Sequence, residues 1–287
     1  MASNYGNYGN LREVIEHKDV RTHVAKHDPD TGYQNHDIVF HLASPGSPTQ
    51  FGSIAQMDKV NTGQMGLFFG GLIKPSNVLF VSSSEVYGAT APSLVSEDFI
   101  GKIDERLARS SYPLSKLHAE ESLKNLGDEH GCKTSIARLF HTFGPGLKAN
   151  DGRSFSDFLE SAISGNPPTL RSNGSDIRSF LFTLDAVTAF FKIINNPIVP
   201  QNESGTFNVG SSEALSIFDF AEKVSEICGV ARPVIDSKTP LASMSIENSP
   251  NSTLLPDTSK LASIGWQSRF DVDYAIRRTF EWMLLKS

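Results

Sequence analysis

The stretch Val78-Leu79-Phe80-Val81-Ser82-Ser83-Ser84-Glu85-Val86-Tyr87-Gly88 decides how the chain reads. Its compact apolar run enters a serine turn, the pattern of a buried strand leaving a sheet. Downstream, Tyr112-Pro113-Leu114-Ser115-Lys116 opens a helical pattern. A Tyr and a Lys at that spacing share one helical face. There the ammonium can lower the phenol pKa by favouring phenolate. Ser83, at the carboxyl end of the strand, can meet that pair at the mouth of a parallel sheet, where α/β folds seat their ligands. Ser83, Tyr112 and Lys116 together make a base able to take a proton from an alcohol while hydride leaves its carbon.

Working outward, Asp37 to Ala43 reads as a buried strand ended by Ser44-Pro45-Gly46-Ser47-Pro48. Val60 to Ile73 reads as one helix with Asn61 near its start, and Thr22 to Ala25 as a short strand. Residues 89–111 form a long connection, which in a compact domain is usually functional or mobile. The helix from about Tyr112 to Glu129 is stopped by Gly131, and Ser135 to Phe140 is the next strand. Later come an amphipathic helix through Phe155, Phe158, Leu159 and Ile163, and a break at Asn166-Pro167-Pro168. Asn173-Gly174-Ser175 signals a hairpin turn. Helices follow over Thr183 to Asn195, Ser216 to Cys228 (capped by Ser216, ended by Gly229) and Val272 to Leu285, with a strand at Thr206 to Gly210. Long internal repeats are not evident.

At 287 residues the chain can bury a substantial core. Hydrophobic content of 39% and charged content of 20% are those of a soluble globular protein. A net charge of −6 argues against a nucleic-acid partner, though an anionic small molecule needs only a local positive site. Cys132 and Cys228 show neither metal spacing nor a disulfide framework, so the expectation is a reducing cytoplasm and no metal. The polar start Met1-Ala2-Ser3-Asn4 lacks an apolar run, so no secretory signal is expected. No run approaches ~18 apolar residues, so no membrane span is expected.

The serine turn with Tyr112 and Lys116, the octet His41-Leu42-Ala43-Ser44-Pro45-Gly46-Ser47-Pro48, and Arg138-Leu139-Phe140-His141-Thr142-Phe143-Gly144-Pro145 resemble the extended short-chain dehydrogenase/reductase family. These are the NAD-dependent sugar-nucleotide epimerases, dehydratases and decarboxylases. The resemblance runs from about Thr22 to the C-terminus and is nearest to the UDP-glucuronate decarboxylases, which carry a similar octet. It implies an α/β fold: a Rossmann-like doubly wound parallel sheet, N-terminally truncated, with a smaller C-terminal substrate-binding α/β region. Residues 1–142 would form the truncated NAD-binding part. Residues 143–287 would mainly hold the nucleotide sugar, with some elements returning to the sheet.

Residue roles are carried over on the same footing. Tyr112 would be the base, Lys116 would depress its pKa and Ser83 would bond the sugar hydroxyl. Leu42, Ala43 and Ser44 would pass beneath the nicotinamide ribose and pyrophosphate of NAD, with Asn61, Tyr112 and Lys116 also near the cofactor. Asp28 is either an adenine-side cofactor residue or a turn residue before Pro29. Ser84, His141, Arg153 and Arg178 would contact the nucleotide-sugar substrate. His141 stands where the family has Asn, and Gly146 where decarboxylases usually carry Arg. The pair Ser84-Glu85 replaces the Asp-Glu of dehydratases; Ser84 cannot act as that acid, and Ser-Glu is the decarboxylase arrangement, with Glu85 catalytic. A homodimer is implied as well.

A complete relative starts with a strand, a Gly-x-x-Gly-x-x-Gly turn and a helix, whose amides hold the NAD pyrophosphate. Gly6 and Gly9 lie in a polar repeat and follow no apolar strand. The expectation is a sheet short of a βαβ unit, roughly 30 residues. Three readings stay open: a decarboxylase, a UDP-sugar 4-epimerase, or an inactive sugar-nucleotide-binding remnant.

Overall fold

The computed structural model describes residues 38–44, 46, 52–67, 69, 75–148, 151–196, 205–236 and 253–285. The first half contains β1 (Ile38–His41), α1 (Ile54–Asn61), α2 (Gly63–Leu67), β2 (Asn77–Ser83), β3 (Leu94–Val95), α3 (Ser111–His130), β4 (Lys133–Leu139) and β5 (Thr142–Phe143). Next come α4 (Ser154–Ile163), β6 (Thr169–Leu170), β7 (Ile177–Ser179), β8 (Leu181–Phe182), α5 (Thr183–Ile194), β9 (Gly205–Val209) and β10 (Ala214–Ser216). The last are α6 (Ile217–Cys228), β11 (Val234–Ile235), β12 (Thr253–Pro256), α7 (Ser259–Ser263) and α8 (Val272–Leu284).

The main sheet is parallel throughout, in the order β1-β2-β4-β9. Val78, Leu79 and Phe80 of β2 are all buried, because helices cover both faces of the sheet. Val78, Phe80 and Ile136 pack with Ala119 and Leu123 of α3. On the other face Leu79, Ala137, Phe207 and Val209 pack with Ala186, Ala189, Phe190 and Ile193 of α5. An unbroken apolar run, rather than an alternating one, is what a strand buried on both sides requires. Burying each such side chain stabilises the fold by roughly 1.5–3 kcal/mol.

Beyond the sheet, Phe143, Phe155, Phe158, Phe180, Phe182 and Phe220 build an aromatic core with α4, α6 and α8. Phe180 stacks on Phe220 with ring centroids 4.3 Å apart. A second sheet, β10-β7-β12-β3, lies in this part of the chain. Through it β3, in the long connection after Gly88, pairs with β12. Gly88 (φ +63°) also bridges Lys102, and a Cβ at Gly101 would lie 1.9 Å from the Tyr87 carbonyl oxygen. The connection is thereby tied down close to the end of β2.

Two expectations are corrected. Among the described residues, the single helix expected over Val60 to Ile73 is instead α1 and α2, with residues 68 and 70–73 lying outside them, and Asn61 ends α1 rather than starting a helix. A capping box of Ser53 and Gln56 starts α1, and the Thr62 hydroxyl donates to the Asp58 carbonyl (2.7 Å) where it stops. The Asn173-Gly174 turn does not join a hairpin, since β6 pairs with β11 while β7 pairs with β10 and β12. The Gly174 carbonyl (φ +69°) accepts the Phe218 N–H at 3.0 Å, so the turn is pinned on the first turn of α6. Tertiary contact overrides the local turn signal.

Candidate active site

β2 delivers Ser83 to the carboxyl edge of the main sheet, and the chain then tightens into the 3₁₀ turn Ser84–Tyr87. The Ser83 hydroxyl accepts the Glu85 N–H at 3.2 Å. Tyr112 lies in the first turn of α3, 7% exposed, and its phenol shares a hydrogen bond with Ser83. Pro113 sits in the same turn, where a missing N–H costs the helix nothing. One turn on, Lys116 is 3% exposed. Its Nζ donates to the Val81 carbonyl at 2.8 Å, over the Phe80 ring and 5.8 Å from the Tyr112 ring centroid.

Burial sets the protonation states here. It pushes the Tyr112 phenol up to about 12; the Ser83 hydrogen bond opposes this and the Glu85 charge adds to it. Burial also pulls Lys116 down to about 7, against the attraction of Glu120. The expected depression of the Tyr112 pKa by Lys116 is therefore not what the structure gives. Desolvation outweighs the ion's field, and the ammonium is bonded to the strand carbonyl. Near neutral pH Lys116 can give or take a proton beside a neutral phenol.

Behind this pair, the Asn61 amide donates to the Ser115 hydroxyl at 2.9 Å, and that hydroxyl donates to the Tyr112 carbonyl at 2.9 Å. The Asn61 carbonyl accepts the buried His41 Nε2–H at 2.9 Å, tying the end of β1 to α1 and α3. The side-chain Oδ1 of Asn61 is buried with no partner among the described residues. At the end of β1, Leu42 is 52% exposed, with Ala43 and Ser44 partly covered. Asp28 lies outside the described residues.

The opposite end of the site is cationic. His141 follows β4 and presents a buried Nδ1 with no partner among the described residues. Burial, then the charges of Arg178, Arg153 and Arg109, push this imidazole down to about 3, so it is neutral at physiological pH. Arg178, on β7, donates to the Ile177 carbonyl (2.9 Å) and pairs with Asp176 (3.1 Å). Arg153 precedes α4, pairs with Asp151 and lies 4.7 Å over the Phe155 ring. Arg109 pairs with Glu85 at 3.1 Å. Ser84 is buried in the 3₁₀ turn between the two ends. Coulombic coupling links the ends: Arg153 reaches Tyr112, and Glu85 reaches Arg178.

The structure thus brings Ser83, Glu85, Tyr112, Lys116, His141, Arg153 and Arg178 to one edge of the sheet. Arg109 escaped the sequence reading. Its only signal was a place just ahead of Tyr112, at the end of a connection that carries several charges. No cluster of His, Cys, Asp or Glu among the described residues could hold a metal ion, and both cysteines are free thiols.

Comparison with known proteins adds to this geometry. The sequence pattern of the NAD dependent epimerase/dehydratase family matches residues 19–210. UDP-glucuronic acid decarboxylase 3 of Arabidopsis thaliana is 30% identical over 278 residues, covering 94% of this chain and 76% of that protein. UDP-glucuronic acid decarboxylase 1 of Xenopus tropicalis is 30% identical over 197 residues, 67% of this chain and 45% of its own. UDP-glucuronic acid 4-epimerase from Bacillus cereus, solved in complex with UDP-glucuronic acid and NAD, superposes with a TM-score of 0.79. It covers 98% of this chain and 86% of its own at 19% identity, a likeness of fold.

Proposed function

The chain belongs to the NAD dependent epimerase/dehydratase family, and from that membership we propose that it modifies a nucleotide sugar, most closely as a UDP-glucuronate decarboxylase. The observation that carries the reading is the pairing of Ser83 with Tyr112 at one end of the site and Arg153 and Arg178 beside a neutral His141 at the other. A sugar hydroxyl suits the first end. A diphosphate suits the second, since guanidinium forks match phosphate oxygens. His141 adds a neutral hydrogen-bonding edge.

The described residues also fit the reacting end of a dinucleotide. Asn61 Oδ1 is a buried acceptor, and the Lys116 ammonium has donors beyond the one given to Val81. With Leu42, Ala43 and Ser44 they would hold NAD, which when bound supplies the reversible hydride acceptor. The rest belongs to the chain. Tyr112 takes the C4 hydroxyl proton as it passes its own phenol proton to the neutral Lys116 amine, while Ser83 holds the oxygen. Once C4 is a ketone, the C5 carboxylate is β to it. The C5–C6 bond breaks, CO₂ leaves, and the electron pair rests as an enolate oxygen between Ser83 and Tyr112. C5 then takes a proton, and Tyr112 returns a proton to the C4 oxygen as C4 regains its hydride, so a UDP-pentose leaves with no net oxidation. This is a lyase reading, with a homodimer in the reducing cytoplasm as part of it; light scattering checks the assembly.

The test is calorimetric titration of the whole chain with NAD⁺, followed by turnover of UDP-glucuronate. Release of CO₂ with a UDP-pentose supports the decarboxylase. A UDP-hexuronate epimer without CO₂ would instead establish the 4-epimerase. A folded sample that shows no binding at millimolar NAD⁺ overturns the enzyme reading and leaves a sugar-nucleotide-binding remnant.

A further inference from the structure

Arg109 and Glu85 lie where neither end of the site accounts for them. Glu85 sits in the 3₁₀ turn that follows Ser83, and Arg109 in the 3₁₀ turn Ala108–Ser110 that leads into Tyr112. The pair, 3.1 Å apart, is thus attached on both sides to the Ser83–Tyr112 centre. Its fields reach the other way too: Glu85 acts on Arg178, and Arg109 on both Arg178 and His141. A hexose whose C4 hydroxyl meets Tyr112 and whose diphosphate meets Arg178 has its ring between these groups, alongside the pair.

The three arginines are also held differently. All three are ion-paired, but Arg178, paired with Asp176, is also bonded to a backbone carbonyl and Arg153, paired with Asp151, lies over an aromatic ring, whereas Arg109, joined to Glu85, has its side chain 47% exposed. An exposed ion pair is readily exchanged for another anion.

We propose that Arg109 determines specificity, binding an anionic substituent on C5 of the sugar in exchange for Glu85; this rests on the nucleotide-sugar reading above. Glu85 then tunes the subsite. As a carboxylate it competes for Arg109 and repels the incoming anion, which keeps a hexuronate from being held too tightly to react.

The experiment is calorimetric titration of the full chain with UDP, UDP-glucose and UDP-glucuronate, for wild type, Arg109→Met, Arg109→Lys and Glu85→Gln. Arg109→Met should weaken UDP-glucuronate by about tenfold or more, the value of a charge-assisted hydrogen bond, and leave UDP and UDP-glucose within about twofold. Arg109→Lys should recover part of the loss, and Glu85→Gln should tighten UDP-glucuronate selectively. If UDP binds and the glucuronate-to-glucose ratio is unchanged in Arg109→Met, this proposal falls while the nucleotide-sugar reading stands. If UDP does not bind folded wild type, both fall. Thermal melts verify folding, and should Arg109→Met not fold, the Glu85→Gln ratio decides the matter alone.

Discussion

The two ends of the site use burial in opposite ways. Around Tyr112 it removes charge: the phenol is pushed up to about 12 and Lys116 down to about 7, so both tend to neutrality. Around His141 it concentrates charge. Arg178 remains a buried cation beside Asp176, and the imidazole among the arginines is the group that goes neutral. The contrast follows from chemistry. A phenol carries no charge at a pH the protein meets and a buried amine can shed its own there, whereas guanidinium cannot and must be paired. One end is suited to moving protons and the other to holding an anion.

The comparison breaks most sharply at Tyr112. Tyr112→Phe should lower turnover by roughly 10²–10⁴-fold, the usual worth of a positioned acid–base group, while UDP affinity stays near wild type. Single-turnover kinetics alongside calorimetry separate the two quantities. An equal loss of UDP affinity would mean that the ends are not distinct. Arg178→Ala tests the other end. UDP affinity should fall about 10–100-fold, with Arg178→Lys recovering little, because a point charge lacks the paired donors.

The smallest expected effect sharpens the desolvation argument. The folded pKa of Lys116, about 7, lies below its ordinary 10.5. Between those values the unfolded chain binds more protons, so the stability contribution of this residue rises with pH across that window. Below about 7 both states are protonated and the fold bears the whole cost of the buried charge. Lys116→Met should therefore stabilise the protein at pH 6, by on the order of 2 kcal/mol, with a gain that shrinks toward pH 10. Denaturant melts at several pH values measure it. A gain independent of pH would show that Lys116 is not buried as a cation.

Particular elements show what could be read in advance. β2 was legible because its apolar run is unbroken, and α6 because Ser216 caps it (Asp219 N–H to Ser216 Oγ, 2.9 Å) and Gly229 ends it at φ +71°. Gly131, at φ +63°, ends α3 where the sequence placed its stop. Asn61 was misplaced because the capping box at Ser53 and Gln56 precedes any strong apolar period. The Asn173-Gly174 turn was misread because its local chemistry is that of a hairpin, while the partner it finds is the start of α6. Arg109 went unnoticed because nothing near it in sequence reveals that Glu85 is across from it.

By itself the sequence determined the parallel α/β architecture and the Ser83, Tyr112 and Lys116 set. Apolar runs, helical spacing and turn residues act over a few positions, and they carry their meaning locally. The family resemblance had already named His141, Arg153 and Arg178, whereas tertiary structure alone decided the protonation states and placed Arg109 beside them. Desolvation depends on what every other segment covers, and Arg109, His141, Arg153 and Arg178 come from four separate elements that only the folded chain brings within reach of one another.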